Sequence, residues 1–133
     1  MILDVAKILY KPFQNIKIFK NCAEVKMFDI AFISYKEKEA DVNWKKLKDK
    51  FPYAKRTHGV KGIHQAHIQA AKTACTEMFF IVDADAHVVE DFDFSYIPLV
   101  KDRDAVHVWR SKNPINDLVY GYGGVKLFPR KAT

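Results

Sequence analysis

Residues 77–91 read Glu77-Met78-Phe79-Phe80-Ile81-Val82-Asp83-Ala84-Asp85-Ala86-His87-Val88-Val89-Glu90-Asp91. An unbroken apolar run, 78–82, ends in two carboxylates one residue apart. A run without polar alternation reads as a strand buried on both faces, as in a mostly parallel sheet. The carboxyl ends of such strands are where open α/β sheets take their ligands. Asp83 and Asp85 at that end can share a hard divalent cation, Mg2+ or Mn2+, of the kind that also holds substrate phosphates. The stretch therefore predicts a metal-assisted nucleotide site.

Upstream, Phe28-Asp29-Ile30-Ala31-Phe32-Ile33-Ser34 is a second strong strand. Ala40, Trp44, Leu47 and Phe51 then recur at spacings of four, three and four, which predicts a helix over 39–50 that Pro52 stops. A short strand over 53–57 follows, then a loop from His58 to Gly62. A second helix is expected over 63–75, with Ile63, Ala66, Ala70 and Ala74 on one side. Strand, helix, strand, helix, strand within about sixty residues is the pattern of βαβ units with right-handed crossovers. Downstream, strands are expected over 104–109, 118–120 and 125–128, the last two separated by the aromatic, Gly-rich loop Tyr120-Gly121-Tyr122-Gly123-Gly124. Residues 1–26 read as an extension apart from the domain of residues 27–133. There Ile2, Val5, Ala6 and Leu9 predict a short helix ended by Pro12, and 16–20 a strand.

Length and composition agree with one globular domain. The chain has 133 residues, 49% of them apolar, with ten Phe, six Tyr and two Trp for core and pocket. No stretch is long and apolar enough to span a membrane. The N-terminus lacks the charged and apolar regions of a signal peptide, so a cytoplasmic protein is expected. Cys22 and Cys75 match no zinc spacing and read as free thiols of a reducing compartment.

The net charge of +6 is unevenly spread. Residues 36–61 carry nine Lys or Arg against four Asp or Glu, 83–104 two against seven, and 105–133 five against one. An acidic centre between basic flanks suits a cation site whose anionic ligand is also held by Lys and Arg. Lys45, Lys46, Lys48 and Lys50 read as the solvated face of a helix rather than a nucleic-acid surface.

Several further residues are candidates with competing readings. His87, directly after the carboxylate pair, can be a third metal ligand or a loop residue. His64 and His67, three apart on a helix, can share a metal, but without a zincin Glu they read better as a partly buried or surface pair. Lys61 precedes the second helix, where a cation and helix amides can hold phosphate, or is a solvated loop lysine. Trp109-Arg110-Ser111-Lys112-Asn113 is either a border of a ligand site or a strand end with solvated charge. The five glycines form neither a dinucleotide fingerprint nor a P-loop.

The stretch Gly62-x-x-x-Ala66-x-x-x-Ala70-Ala71-x-x-Ala74-Cys75-Thr76-Glu77-x-Phe79-Phe80-Ile81-Val82-Asp83-Ala84-Asp85 resembles the core of GT-A-type glycosyltransferases, particularly the family-2-like group. Gly123-Gly124-Val125-Lys126-Leu127-Phe128-Pro129-Arg130 resembles the later Gly-Gly segment bordering the donor sugar. The similarity covers about residues 28–130, and the wording also resembles phage-encoded glycosyltransferase domains. The resemblance implies an α/β fold with a mostly parallel sheet flanked by helices. That would be a GT-A-like, Rossmann-like nucleotide-sugar-binding half in minimal or truncated form. It implies a UDP-sugar donor and metal ligation by Asp85, with Asp83 on the metal or the ribose. Ser34 and Tyr35 would flank the base, Lys61 would serve phosphate, and Gly123 and Gly124 the sugar.

Departures from the pattern are plain. Family members carry an Arg-Asn pair where this chain has Ala66-His67. Asp117 is the only late carboxylate and so the candidate catalytic base. The acceptor is open; a phage context implies a modified DNA base, a general one a glycan, and the compartment would then be the host cytoplasm. The expected activity is metal-dependent glycosyl transfer. The alternative is a non-catalytic nucleotide-sugar-binding module lacking the acceptor half. A nucleotidyltransferase ranks lower, because Tyr35-Lys36-Glu37-Lys38-Glu39 contains no phosphate-loop glycine. A nucleic-acid-binding protein is a further reading, judged on charge alone.

Overall fold

The computed structural model describes residues 3–7, 27–112, 115–120 and 124–133. It is a mixed α/β fold of two sheets and two helices. In chain order the elements are β1 (Leu3–Lys7), β2 (Asp29–Ser34), α1 (Ala40–Lys50), β3 (Lys55–His58), α2 (Ile63–Thr73), β4 (Met78–Asp83), β5 (Ala86–His87), β6 (His107–Val108), β7 (Arg110–Lys112), β8 (Val119–Tyr120) and β9 (Val125–Pro129). The larger sheet has the order β3-β2-β4-β9-β6.

The middle of that sheet follows from the apolar runs. Every residue from Met78 to Val82 is at most 1% exposed, because β4 lies between β2 and β9 and is covered on both faces. Alternation sorts its side chains. Phe80 and Val82 join Phe32 of β2 and Leu47 of α1 in one core, while Phe79 and Ile81 join Ala31 and Ile33 of β2 and the alanines of α2 in the other. The helices therefore sit on opposite faces. That is the consequence of right-handed crossovers running in opposite directions from a shared strand: β2 to β3 outward, then β3 back over β2 to β4.

Within this larger sheet the β3-β2-β4 part alone is parallel. β9 runs antiparallel to β4, and β6 antiparallel to β9, so the expected mostly parallel sheet is in fact mixed. No third crossover helix follows β4. Instead residues 84–106 lay aromatic side chains over the α1 face. Phe92 and Phe94 meet edge-on with centroids 4.7 Å apart, and Phe94 meets Phe80 at 5.1 Å. Such pairs contribute about 0.5–1.5 kcal/mol each beyond their buried area. They offset the left-handed backbone of Phe94 (φ 59°), which turns its ring into the core.

The helices end where the residues dictate. The Phe51 N–H closes α1 on the Leu47 carbonyl at 2.8 Å before Pro52. Lys48 Nζ donates to the carbonyls of Pro52 and Ala54, so one lysine of the basic face serves as a C-terminal cap. In α2, Ala66, Ala70 and Ala71 are buried, and their small side chains let the helix lie close on the sheet. Ile63, expected on that buried side, is 65% exposed at the first position of the helix. Asp29 Oδ2 accepts the Cys75 and Thr76 N–H groups, pinning the start of β4 to the start of β2.

The N-terminal helix expected around Val5 and Ala6 is instead strand β1. A lone helix of this length is not self-supporting, and the backbone finds partners in β5 (parallel) and β7 (antiparallel), with β8 beyond β7. Residues 3–7 are thus paired into the same body as residues 86–87 and 110–112, rather than standing apart. The expected strand over 16–20, like Ile2, Leu9, Pro12 and Cys22, lies outside the described residues. The single strand expected over 104–109 is two short ones. Residues 103–105 turn, and Trp109 separates β6 in the large sheet from β7 in the small one. Among the described residues no helix is long and apolar enough to cross a membrane.

Candidate active site at the carboxyl end of the sheet

Asp83 closes β4, and strand alternation sends its side chain to the α2 face, beyond Phe79 and Ile81. Three hydrogen bonds fix the turn that follows. The Asp83 N–H donates to the Gly124 carbonyl at 2.8 Å and the Ala84 N–H to the Ile33 carbonyl at 3.0 Å. Asn43 Nδ2 of α1 donates to the Ala84 carbonyl at 2.8 Å. The turn carrying Asp85 is therefore held from β2, β9 and α1 together. Strand order reverses about β2, and the carboxyl edge beside such a reversal is the ligand position of open α/β sheets.

The electrostatics of this edge are unbalanced. Burial raises the Asp83 carboxyl above its ordinary range, and the nearby Asp85 carboxylate raises it further. Lys126, whose ammonium lies 3.4 Å from Asp83 Oδ2, and His67 act in the opposite direction without cancelling the rise. Lys126 reaches Asp83 because β9 pairs it with Ile81, on the same face. His67 Nδ1 donates to the Ile63 carbonyl at 2.8 Å, and its ring stands edge-on to Phe128 with centroids 5.2 Å apart. The pair His64 and His67 does not act as a unit: His67 is turned toward the sheet, while His64 is exposed.

On the opposite, α1 face of the same edge the polar groups are matched. Ser34 is 2% exposed. Its hydroxyl accepts from Arg56 Nε at 2.9 Å and shares a hydrogen bond with His58 Nδ1 at 2.8 Å. Arg56 is also ion-paired with Asp41 at 2.8 Å and lies over the Phe32 ring, 5.8 Å from its centroid. Ser34 thus supports Arg56 and His58 from beneath. Tyr35, the next residue, is exposed, with the Lys36 ammonium 5.0 Å from its ring centroid.

The remaining candidates separate. Gly124 is buried beside the carboxylate turn, accepting from Asp83 and donating its N–H to Ser111 Oγ at 3.3 Å; Gly123 lies outside the described residues. Lys61 is exposed just ahead of Gly62, whose positive φ (92°) starts α2. His87 is in β5, and with Asn43, Lys46 and Phe92 it lines a cavity of about 730 Å³ between α1 and residues 86–92. A second cavity, about 510 Å³, lies at the opposite end of the sheet, between Lys72, Arg103 and Arg130. Asp117 sits in the β7–β8 connection with a left-handed backbone (φ 58°), paired with Lys112 at 3.5 Å. Cys75 is an exposed free thiol.

Among the described residues no three His, Cys, Asp or Glu side chains group closely enough to form a metal cage. The carboxylate pair offers hard oxygen donors only. That fits Mg2+ or Mn2+, which keep waters and bind through one or two carboxylates plus substrate phosphates, and it does not fit zinc. Lys126, Arg56 and Asn43 carry much of this geometry, and none stands out in the sequence. Lys126 becomes relevant only through the β4–β9 register. Arg56 had one available signal: alternation along β3 puts it on the face opposite Thr57, beside Phe32. No protein-family model matches this chain, and no curated protein or solved structure matches it either.

Proposed function

We propose that this chain is a GT-A-like domain that binds a nucleotide-sugar through a divalent cation and transfers the sugar to an acceptor. The observation that carries the reading is the half-buried Asp83 carboxyl, raised in part by Asp85, at the carboxyl end of β4 where strand order reverses. A carboxyl raised by burial and by a neighbouring carboxylate is poorly matched to its own fold. Groups so arranged are candidates for a ligand's site rather than for stability.

The roles follow from the positions. Asp83 and Asp85 would hold Mg2+ or Mn2+, which when bound neutralises a diphosphate leaving group as the sugar C1–O bond breaks. Asn43 and Gly124 hold the turn that presents both carboxylates. Arg56 and His58, set by Ser34, and the exposed Tyr35 ring line the neighbouring edge, where the base would lie. The UDP-sugar donor, and a modified DNA base or a glycan as acceptor, rest on the resemblance alone.

A second reading is a module that binds the nucleotide-sugar without turnover. It is favoured by the pairing of Asp117 with Lys112, which occupies the one late carboxylate in an ion pair of the β7–β8 connection. The test is calorimetric titration of UDP with and without Mn2+ into wild type and Asp85→Ala. Mn2+-dependent binding in wild type alone supports the reading, and identical traces for the two proteins remove it. Product from a UDP-sugar panel then separates transferase from module.

A further inference from the structure

Lys126 is in a position that the carboxylate pair alone does not require. It is the cation on β9 that faces Asp83, its side chain is only 20% exposed, and its ammonium stands 3.4 Å from Asp83 Oδ2. Charge-assisted N–H···O bonds close to about 2.7–2.9 Å when both groups are free to optimise them. This one is held longer. The register fixes the cause: Lys126 is opposite Ile81, two residues short of Asp83, so the side chain must extend along the strand to reach the carboxylate. Asp85 and His67 are the other charged or titratable groups acting on Asp83.

The charge arithmetic at this edge has a direct consequence. The Asp83 carboxylate and the Lys126 ammonium cancel. A divalent cation on Asp83 leaves that pair with an excess of positive charge, and Lys126 then stands beside a metal that repels it. The nearest relief for a lysine in that position is an anionic oxygen on the same metal. We infer that Lys126 is the resident counter-cation of Asp83, which yields the carboxylate to the metal and turns to the diphosphate, so that metal and nucleotide bind cooperatively through one side chain. This inference rests on the nucleotide-sugar reading above and adds to it a residue and a binding order.

The sign of its effects sets the lysine apart from a general anion-attracting patch. Lys126 competes with the metal when no nucleotide is present, and assists the nucleotide once the metal is bound. Linkage makes the coupling reciprocal: whatever factor UDP adds to Mn2+ affinity, Mn2+ adds to UDP affinity.

The experiment is a double titration of wild type, Lys126→Met and Lys126→Arg, reading Mn2+ binding by electron paramagnetic resonance and UDP binding by calorimetry. In Lys126→Met, Mn2+ alone should bind about 3–10-fold tighter and UDP in saturating Mn2+ about 10-fold weaker, so the coupling factor collapses. Lys126→Arg should stay near wild type in both. If Lys126→Met melts below the assay temperature, Lys126→Gln takes its place in the same titrations. Mn2+ and UDP both bound by wild type, with the neutral variant weaker or unchanged for Mn2+ alone, overturns the role of the lysine and leaves the functional reading standing. Neither ligand bound by wild type removes both.

Discussion

The two faces of one sheet edge treat charge in opposite ways. On the α1 face, Ser34, Arg56, His58 and Asp41 are joined to one another by hydrogen bonds and an ion pair. On the α2 face, at the end of the neighbouring strand β4, Asp83 is pushed toward its protonated form by burial and by Asp85, with Lys126 and His67 in partial compensation. The backbone is equally regular beneath both. Side chains tied to one another stabilise the fold and leave little to offer a metal ion. A partly desolvated carboxylate costs stability and is relieved by whatever neutralises it. Substitutions on the two faces should therefore differ in kind: on one side metal binding is lost and the fold kept, on the other the fold is weakened and metal binding kept.

The largest expected effect is on the acidic face. Asp85→Ala should lower Mn2+-dependent UDP binding on the order of 100-fold, since a site with few protein ligands loses a large share of its grip with each. Its melting temperature should stay near that of wild type, because the turn that carries Asp85 is held by backbone hydrogen bonds to Ile33 and Gly124 and by the Asn43 amide. Equal binding by variant and wild type would place the metal elsewhere. The counterpart on the other face is Arg56→Met. It leaves the buried Ser34 hydroxyl without its donor and should destabilise by about 1–3 kcal/mol in urea unfolding. Mn2+ affinity in the folded variant should be unchanged. A stable Arg56→Met protein with weakened Mn2+ binding would erase the distinction between the faces.

How much of this was legible beforehand depends on the range of the interaction. β4, β2, α1 and α2 are written in local pattern, and their placement came close: the helix expected over 39–50 is Ala40–Lys50, and the apolar run is β4 with its carboxylate terminus. Periodicity encodes which face an element buries, so these survive without tertiary knowledge. The misses are long-range. Residues 3–7 carry too weak a local preference to resist the open edges of β5 and β7, and they become strand. The antiparallel β9 has the same apolar alternation that a parallel strand would have, so its direction is invisible until its neighbour is known. Lys126 and Arg56 are missed for the same reason, since their significance is a register and not a motif. The glycosyltransferase resemblance implies that Ser34, at the end of its strand, flanks the base. Its burial beneath Arg56 and His58 depends on the pairing of β2 with β3.

A smaller effect tests the energetic half of the contrast. Asp83→Asn removes the ionisation and keeps the shape, and should stabilise the fold at pH 7 by about 0.5–1 kcal/mol while weakening Mn2+ binding. The sign follows from linkage. The folded carboxyl is raised above its unfolded value, so protonated Asp83 contributes stability that is fully present below the unfolded value, about 3.9, and is lost as pH rises through the folded one. The asparagine variant escapes that loss. Its advantage in urea unfolding should therefore be near zero at the acid end and grow as pH rises to neutrality. An advantage that shrinks with rising pH would mean that Lys126 and His67 outweigh burial at Asp83.

The smallest effect sharpens what ties the side chains of the α1 face together. Asp41 completes the set by an ion pair with Arg56 at 2.8 Å, yet its side chain is 89% exposed. Solvent screens such a carboxylate, and exposed pairs typically contribute only about 0.2–1 kcal/mol. Asp41→Asn keeps the α1 first turn and can still accept from the guanidinium, so its melting temperature should fall within a degree or so of wild type, roughly 0.3 kcal/mol. The guanidinium stays in place because Ser34 and the Phe32 ring hold it from the buried side. If Asp41→Asn instead destabilises as strongly as Arg56→Met, the ion pair and not the buried hydroxyl organises this face. The set is then a surface network that 0.5 M salt should weaken, and its contrast with the acidic face reduces to a difference in solvent exposure.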